Sequence, residues 1–179
     1  MGFFSPAPYH IISYGFLLGT TFFHTFVGGI ISFRVLPRPQ FSSLMSSLFP
    51  IYFTIQTALP LVLAITYPGS QNPFGITGGI TGFLDSSNRY STFVPVTATF
   101  VSALANLAFV GPLTTKVMDE RKLQEKKDGK KSWDSPPHSQ EMQALNKQFG
   151  ILHGVSSLLN LGTFVGSVVY GVTLSKRIS

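Results

Sequence analysis

The chain has 179 residues, 44% hydrophobic and 11% charged, with 17 Phe, a mean hydropathy of +0.29, a net charge of +6 and no cysteine. A water-soluble domain carries about 25% charged residues because its surface faces water, so this composition excludes an ordinary soluble fold and calls for apolar runs that cross a bilayer. The lack of cysteine excludes disulfides, zinc–thiolate sites, catalytic thiols and S-palmitoylation.

The opening MGFFSP has no basic n-region, and Pro6 stands where N-myristoylation needs Ser or Thr, so neither a cleaved nor a lipidated leader is expected. The first span is expected over about 11–33, a run free of Asp, Glu, Lys and Arg. At about 1.5 Å per residue it covers the roughly 30 Å hydrocarbon core with some tilt. RVLPRP ends it with charge and proline, and a second span follows over about 49–67 with Pro50 near its start and Pro60 inside. Residues 68–91, rich in Gly, Asn and Ser, read as a flexible connector with Phe74, Ile76, Ile80 and Phe83 touching the membrane interface. Its glycines do not make a nucleotide loop, because no strand precedes them and no Lys follows. The third span, about 92–113, is expected to continue as a soluble charged helix supported by Lys116–Glu120 and Arg121–Glu125 pairs, then to break at Gly129 and SPP. The charged connector is 114–147, and the fourth span is about 149–174. The expected fold is an all-α membrane bundle of four transmembrane helices in a single domain.

With four crossings, one side of the membrane holds three Lys and Arg residues (Arg89, Lys176, Arg177) and the other holds ten. Cytoplasmic loops carry the excess of basic residues, so the ten-charge side is expected to face the cytoplasm and both termini the far side. This placement accounts for the high pI without nucleic acid. It also lets the Lys-rich connector meet anionic headgroups at about 1 kcal/mol per basic residue. The expected location is an integral membrane of the secretory system, with the mitochondrial outer membrane as the alternative.

ILHGVSSLLNLG, in the fourth span, carries His153, Ser156, Ser157 and Asn160 at helical spacing on one face. The other spans add His24 with Thr20 and Thr21, Gln56, and Asn106. A polar group left unpaired in hydrocarbon costs several kcal/mol, so these groups are expected to turn inward and meet as a polar seam. The seam admits two readings: glue between helices, or a cavity for a small solute. A Ser–His catalytic pair lacks an acid in any span to orient the histidine, and no metal-ligand spacing is present, so no enzyme, cofactor or metal is expected. Gly15–Gly19, Gly150–Gly154 and Gly162–Gly166 are small-xxx-small pairs of the kind that let helices approach closely.

Three segments, Thr25–Phe53, Asn106–Met118 and Leu145–Gly162, contain an FR-x-LPR turn, LFP-x-YF, N-x₅-P-x-TT-x-x-M and H-G-x-SS-x-x-NLG. Together they resemble the transmembrane protein 205-like family, of the DUF4149 type, across all four spans. The resemblance implies a small four-span membrane protein without an agreed molecular activity. It marks Arg34, Pro37, Arg38, Phe49, Pro50, Tyr52, Phe53, Asn106, Pro112, His153, Ser156, Ser157 and Asn160, and it begins just after His24. Arg34, Pro37, Arg38, Phe49 and Pro50 are expected to form one cytoplasmic interface turn, where an Arg either snorkels or holds lipid phosphate. The function expected is a structural or trafficking component of a membrane. The alternative is a transporter or exporter component, which with so few spans calls for a homo-oligomer or a membrane-protein partner.

Overall fold

An apolar run in lipid has no water to satisfy its amides, so each run closes its hydrogen bonds internally as a helix. The computed structural model describes residues 5–69 and 78–176, and four of its helices are long and apolar enough to cross a membrane. α1 (Pro6–Val35) begins with proline in its first turn, where a missing N–H costs nothing, and passes through a π-helical turn at His24–Gly28. Two residues, Leu36 and Pro37, join it to α2 (Arg38–Ile65), which continues through both Pro50 and Pro60. A short α3 (Gly79–Phe83) precedes α4 (Ser86–Asp128), which contains π-helical turns at Arg89–Phe93 and Asn106–Val110. α5 (Gln140–Ser175) closes the chain.

α1 packs on α2 and α5, α2 on α4, and α4 on α5, which gives an antiparallel four-helix ring. At about 1.5 Å per residue α4 and α5 are about 64 and 54 Å long, well beyond the roughly 30 Å core. Their surplus forms a two-helix stalk in which Val117 and Met142 are buried. Gly129, with φ +63°, ends α4, and Ser139 caps α5 by accepting the Met142 amide. Between them the Glu125 carboxylate accepts the Ser132 amide at 3.1 Å and meets Lys131 at 3.4 Å. The stalk therefore uses ion pairs other than the expected ones. Lys122 reaches Asp119, and Arg121 lies 4.5 Å over the Phe149 ring.

The helices run further than the apolar runs suggest. α2 starts at Arg38 rather than Phe49, with Pro39 in its first turn and Met45 buried; Ser46 and Ser47 satisfy their hydroxyls on the carbonyls of Ser42 and Ser43. The stretch read as a connector is partly folded. Phe83 is buried against Tyr67 and Phe93, whereas Ile80 is exposed. Asp85, just before α4, accepts the Ser87 amide and hydroxyl, and those bonds hold its carboxyl below the ordinary range. Phe74 and Ile76 lie outside the described residues.

Of the three glycine pairs, one mediates helix packing. A Cβ at Gly166 would stand 2.6 Å from Thr99 Oγ1 and 2.9 Å from the Pro95 carbonyl, and one at Gly162 would touch Ser102. Around Gly15, Gly19, Gly150 and Gly154 a Cβ would meet nothing within 4 Å, so the spacing on those faces has no partner among the described residues. Close approach is also needed at Gly171, where the Tyr14 hydroxyl occupies the space of a side chain. Gly166→Ala is therefore expected to lower stability by about 1–3 kcal/mol through overpacking. Gly154→Ala should leave it level or raise it by about 0.5–1 kcal/mol. Thermal unfolding in one detergent measures both, and equal losses would refute this assignment of the α4–α5 contact.

Candidate functional site

The polar groups of the bundle interior meet at two levels. The first is near mid-membrane. Asn160 of α5 accepts the Tyr52 hydroxyl through Oδ1 at 2.7 Å and donates through Nδ2 to Thr25 Oγ1 at 2.6 Å. Gln56, one turn above Tyr52 on α2, places Nε2 within 3.0 Å of Thr21 Oγ1, 2.8 Å of the Tyr52 oxygen and 3.0 Å of Asn160 Oδ1. Three helices are thus tied by one set of side-chain bonds, and α2 and α5, diagonal in the ring, are joined through it. Thr21 and Gln56 are fully buried. The π turn at His24–Gly28 lies beside this knot, and the His24 ring is 4.4 Å from the Tyr52 ring.

α4 joins by a different route. Asn106, fully buried at the start of its π turn, donates Nδ2 to the Ser156 backbone carbonyl at 3.2 Å. Gln56 Oε1 and Asn106 Oδ1 are buried without a hydrogen-bond partner among the described residues. Three further buried hydroxyls bond to their own helices, Thr99 to the Pro95 carbonyl, Thr163 to Leu159 and Ser167 to Thr163, whereas Thr92 Oγ1 is buried without a hydrogen-bond partner among the described residues.

The second level lies about 15 Å from Asn160 along α5, close to half the hydrocarbon thickness. Fully buried His10 bridges Thr66 Oγ1 at 3.1 Å and the Tyr170 hydroxyl at 2.5 Å, tying α1, α2 and α5 again. Thr66 gives its own proton to the Val62 carbonyl at 2.6 Å, so toward His10 it accepts. His10 Nδ1 is therefore the donor in that bond, and Nε2 faces the Tyr170 hydroxyl. Tyr67 and Tyr14 complete an aromatic collar there, with Tyr67 edge-on to His10 and Tyr14 edge-on to Tyr170.

The structure thus divides the expected seam. It brings together Asn160, Gln56 and Thr21, links Asn106 to Ser156 through the Ser156 backbone, and adds Thr25, while Thr20 bonds back to the Phe16 and Leu17 carbonyls. His153 and Ser157 stand outside it. The His153 side chain is exposed and stacked on Phe149 at 5.9 Å, while Ser157 returns its hydroxyl to the His153 carbonyl. The inward face of α5 is instead Asn160, Thr163, Ser167, Tyr170 and Leu174, a spacing of alternating three and four residues that the more polar His153 stripe obscured. Thr25, Tyr170, Thr66 and His10 escaped the seam reading because hydroxyl residues look neutral in an oily helix and His10 precedes the first apolar run.

The expected interface turn is likewise divided. Arg34 and Arg38 flank Pro37 and are exposed, and the Arg38 guanidinium lies 3.8 Å over the Phe33 ring. Phe49 and Pro50 sit about 16 Å further along α2. There Phe49 stacks on Phe53 at 5.5 Å and meets His24 edge-on.

Tyr52→Phe keeps the shape and removes a hydroxyl that both donates and accepts, so it is expected to lower stability by about 1 kcal/mol. His153→Ala should change stability by less than about 0.5 kcal/mol. Parallel thermal scans in one detergent test the pair, and a larger loss for His153→Ala would contradict this seam.

Comparison with known proteins agrees with the architecture. Residues 12–123, from α1 into the stalk part of α4, match the family model described as a domain of unknown function, DUF4149. Xanthocillin biosynthesis cluster protein D of Aspergillus fumigatus is 33% identical over 171 residues, covering 96% of this chain and 90% of that protein, α5 included. No solved structure matches the chain. By the family model and by this full-length relative, the chain belongs to the DUF4149 family of proteins.

Proposed function

We propose that the protein is a non-enzymatic structural or interaction component of its membrane, and that the interior seam serves as glue between helices. The observation that carries this reading is the closure of the mid-membrane knot. Apart from Gln56 Oε1, the side-chain polar atoms of Tyr52, Gln56 and Asn160 bond to one another and to Thr21 and Thr25, as expected of groups that hold helices together rather than wet a path. Two recesses among the described residues lie away from the knot: a groove of about 460 Å³ runs along Ile12, Gly15, Phe16, Gly19 and Thr20 on the outside of α1, and a smaller one of about 80 Å³ opens between α2 and α4 at Pro60 and Phe100. In this reading the bilayer is the first partner, with the basic stalk on the cytoplasmic side and the termini opposite. The narrower kinship to transmembrane protein 205-like proteins rests on the four motifs given above and belongs to the same proposal.

A second reading, a transporter or exporter component, draws support from two features. The similar Aspergillus protein is named for a biosynthesis cluster, a setting in which a small molecule is made. The orphaned oxygens of Gln56 and Asn106 are the kind of interior acceptors a polar solute would use.

Asn160→Leu separates the two readings. It removes the acceptor of Tyr52 and the donor to Thr25 together, and is expected to cost about 1–3 kcal/mol of stability, with less folded protein recovered in detergent. Loss of folding supports glue. Normal folding with altered solute flux in liposomes would replace it by the conduit reading.

A further inference from the structure

We propose that Ser135, at the tip of the stalk, is a phosphoacceptor for a proline-directed serine/threonine kinase. The tip, residues 129–139, joins two helices that run about 22 Å beyond the end of the third apolar run, which gives a soluble enzyme clearance from the bilayer. It contains three serines, and the structure distinguishes them. Ser132 is buried, with its amide bonded to the Glu125 carboxylate and its carbonyl accepting Asn146. Ser139 is committed to the start of α5: its hydroxyl donates to Asp128 at 2.6 Å and accepts the Met142 amide. Ser135 is exposed, and its hydroxyl makes no hydrogen bond among the described residues. Pro136 and Pro137 follow it, both exposed. Proline after the acceptor brings no N–H to be left unsatisfied when a kinase cleft closes over it, which is the feature such kinases select.

The reaction is an ordinary phosphoryl transfer. The Ser135 oxygen attacks the γ-phosphorus of a nucleoside triphosphate, the new O–P bond forms as the bond to the diphosphate breaks, and the hydroxyl proton passes to the kinase base.

The surroundings indicate what the phosphate does. Over residues 125–139, Lys126, Lys127, Lys130 and Lys131 stand against Glu125, Asp128 and Asp134, a surplus of one positive charge. A phosphoserine adds about −1.5 to −2 and reverses it. Lys130 already reaches the Pro137 carbonyl at 2.8 Å, two residues from Ser135, and Lys131 shares the Glu125 carboxylate. The phosphate competes for both ammonium groups and draws Lys131 from Glu125. Modification thus converts a weakly basic tip, suited to anionic surfaces, into a weakly acidic one and loosens the clamp that closes the stalk.

The chain carries its own reporter, because its single Trp, Trp133, is half-exposed with the Lys131 ammonium 5.9 Å from its ring. The test uses the full-length protein in nanodiscs with a purified proline-directed kinase and ATP, read by mass spectrometry. One phosphate on Ser135 is expected, absent in Ser135→Ala and severalfold slower in Pro136→Ala, with unchanged thermal unfolding confirming that both variants fold. No phosphate, phosphate on Ser132 or Ser139 instead, or undiminished labelling of Pro136→Ala would overturn the site. Trp133 emission is expected to shift on phosphorylation of the wild type and to stay constant when Ser135→Ala is incubated identically. Constant emission from fully phosphorylated protein would overturn the rewiring of Lys131.

Discussion

A side-chain amide in hydrocarbon must find a partner, because no solvent is there to supply one. Asn160, near the middle of α5, is the side chain on which that rule acts most strongly here. Its two polar atoms are answered by Tyr52 and Thr25, and Tyr52 in turn accepts from Gln56. The consequence is geometric. One rotation of α5 lets Asn160 reach both α1 and α2, so the rotation of the helix is set by this residue and the rest of its inward face follows. Thr163, Gly166, Ser167 and Tyr170 fall on that face, and Gly166 brings α5 against α4 at Thr99 and Pro95.

The second tie, at His10, acts on the same three helices at a different depth. Two ties about 15 Å apart along an axis prevent both rotation and tilt, which one tie alone would not. Between them lies an apolar core of Leu17, Leu63, Val96 and neighbouring rings, where packing needs no polar group. The bundle is in this sense pinned at two levels and filled between them. The stalk is internally wired through Glu125, Asp128 and Ser139, so a change of charge at its tip acts on a defined set of bonds.

Much of the fold was legible from residue types alone. The number of crossings, their order, the extension of α4 into water and the stop at Gly129 all follow from local hydropathy and backbone chemistry. The site was legible in part. Gln56, Asn106 and Asn160 are amides in oil, and each was bound to turn inward. The His153 stripe was misleading because imidazole near a membrane boundary can turn outward and stack on Phe149, an option an amide at mid-membrane does not have. The small-residue pairs were ambiguous for a related reason: four of those six glycines lie on faces that no neighbouring helix covers among the described residues.

What the sequence determined by itself is the set of segments that must be helical and the identity of the amides that need partners. Both depend on the transfer of single groups from water to hydrocarbon, a property of each residue irrespective of its neighbours. Which hydroxyl answers which amide was decided only when the helices came together, since Thr and Ser can satisfy themselves on their own helix and Tyr can face either way. The pairing of Asn160 with Tyr52 and Thr25, and of His10 with Thr66 and Tyr170, joins residues 56 to 160 positions apart. Contacts at that separation depend on helix rotation and depth, and these emerge from the packing of all four helices together.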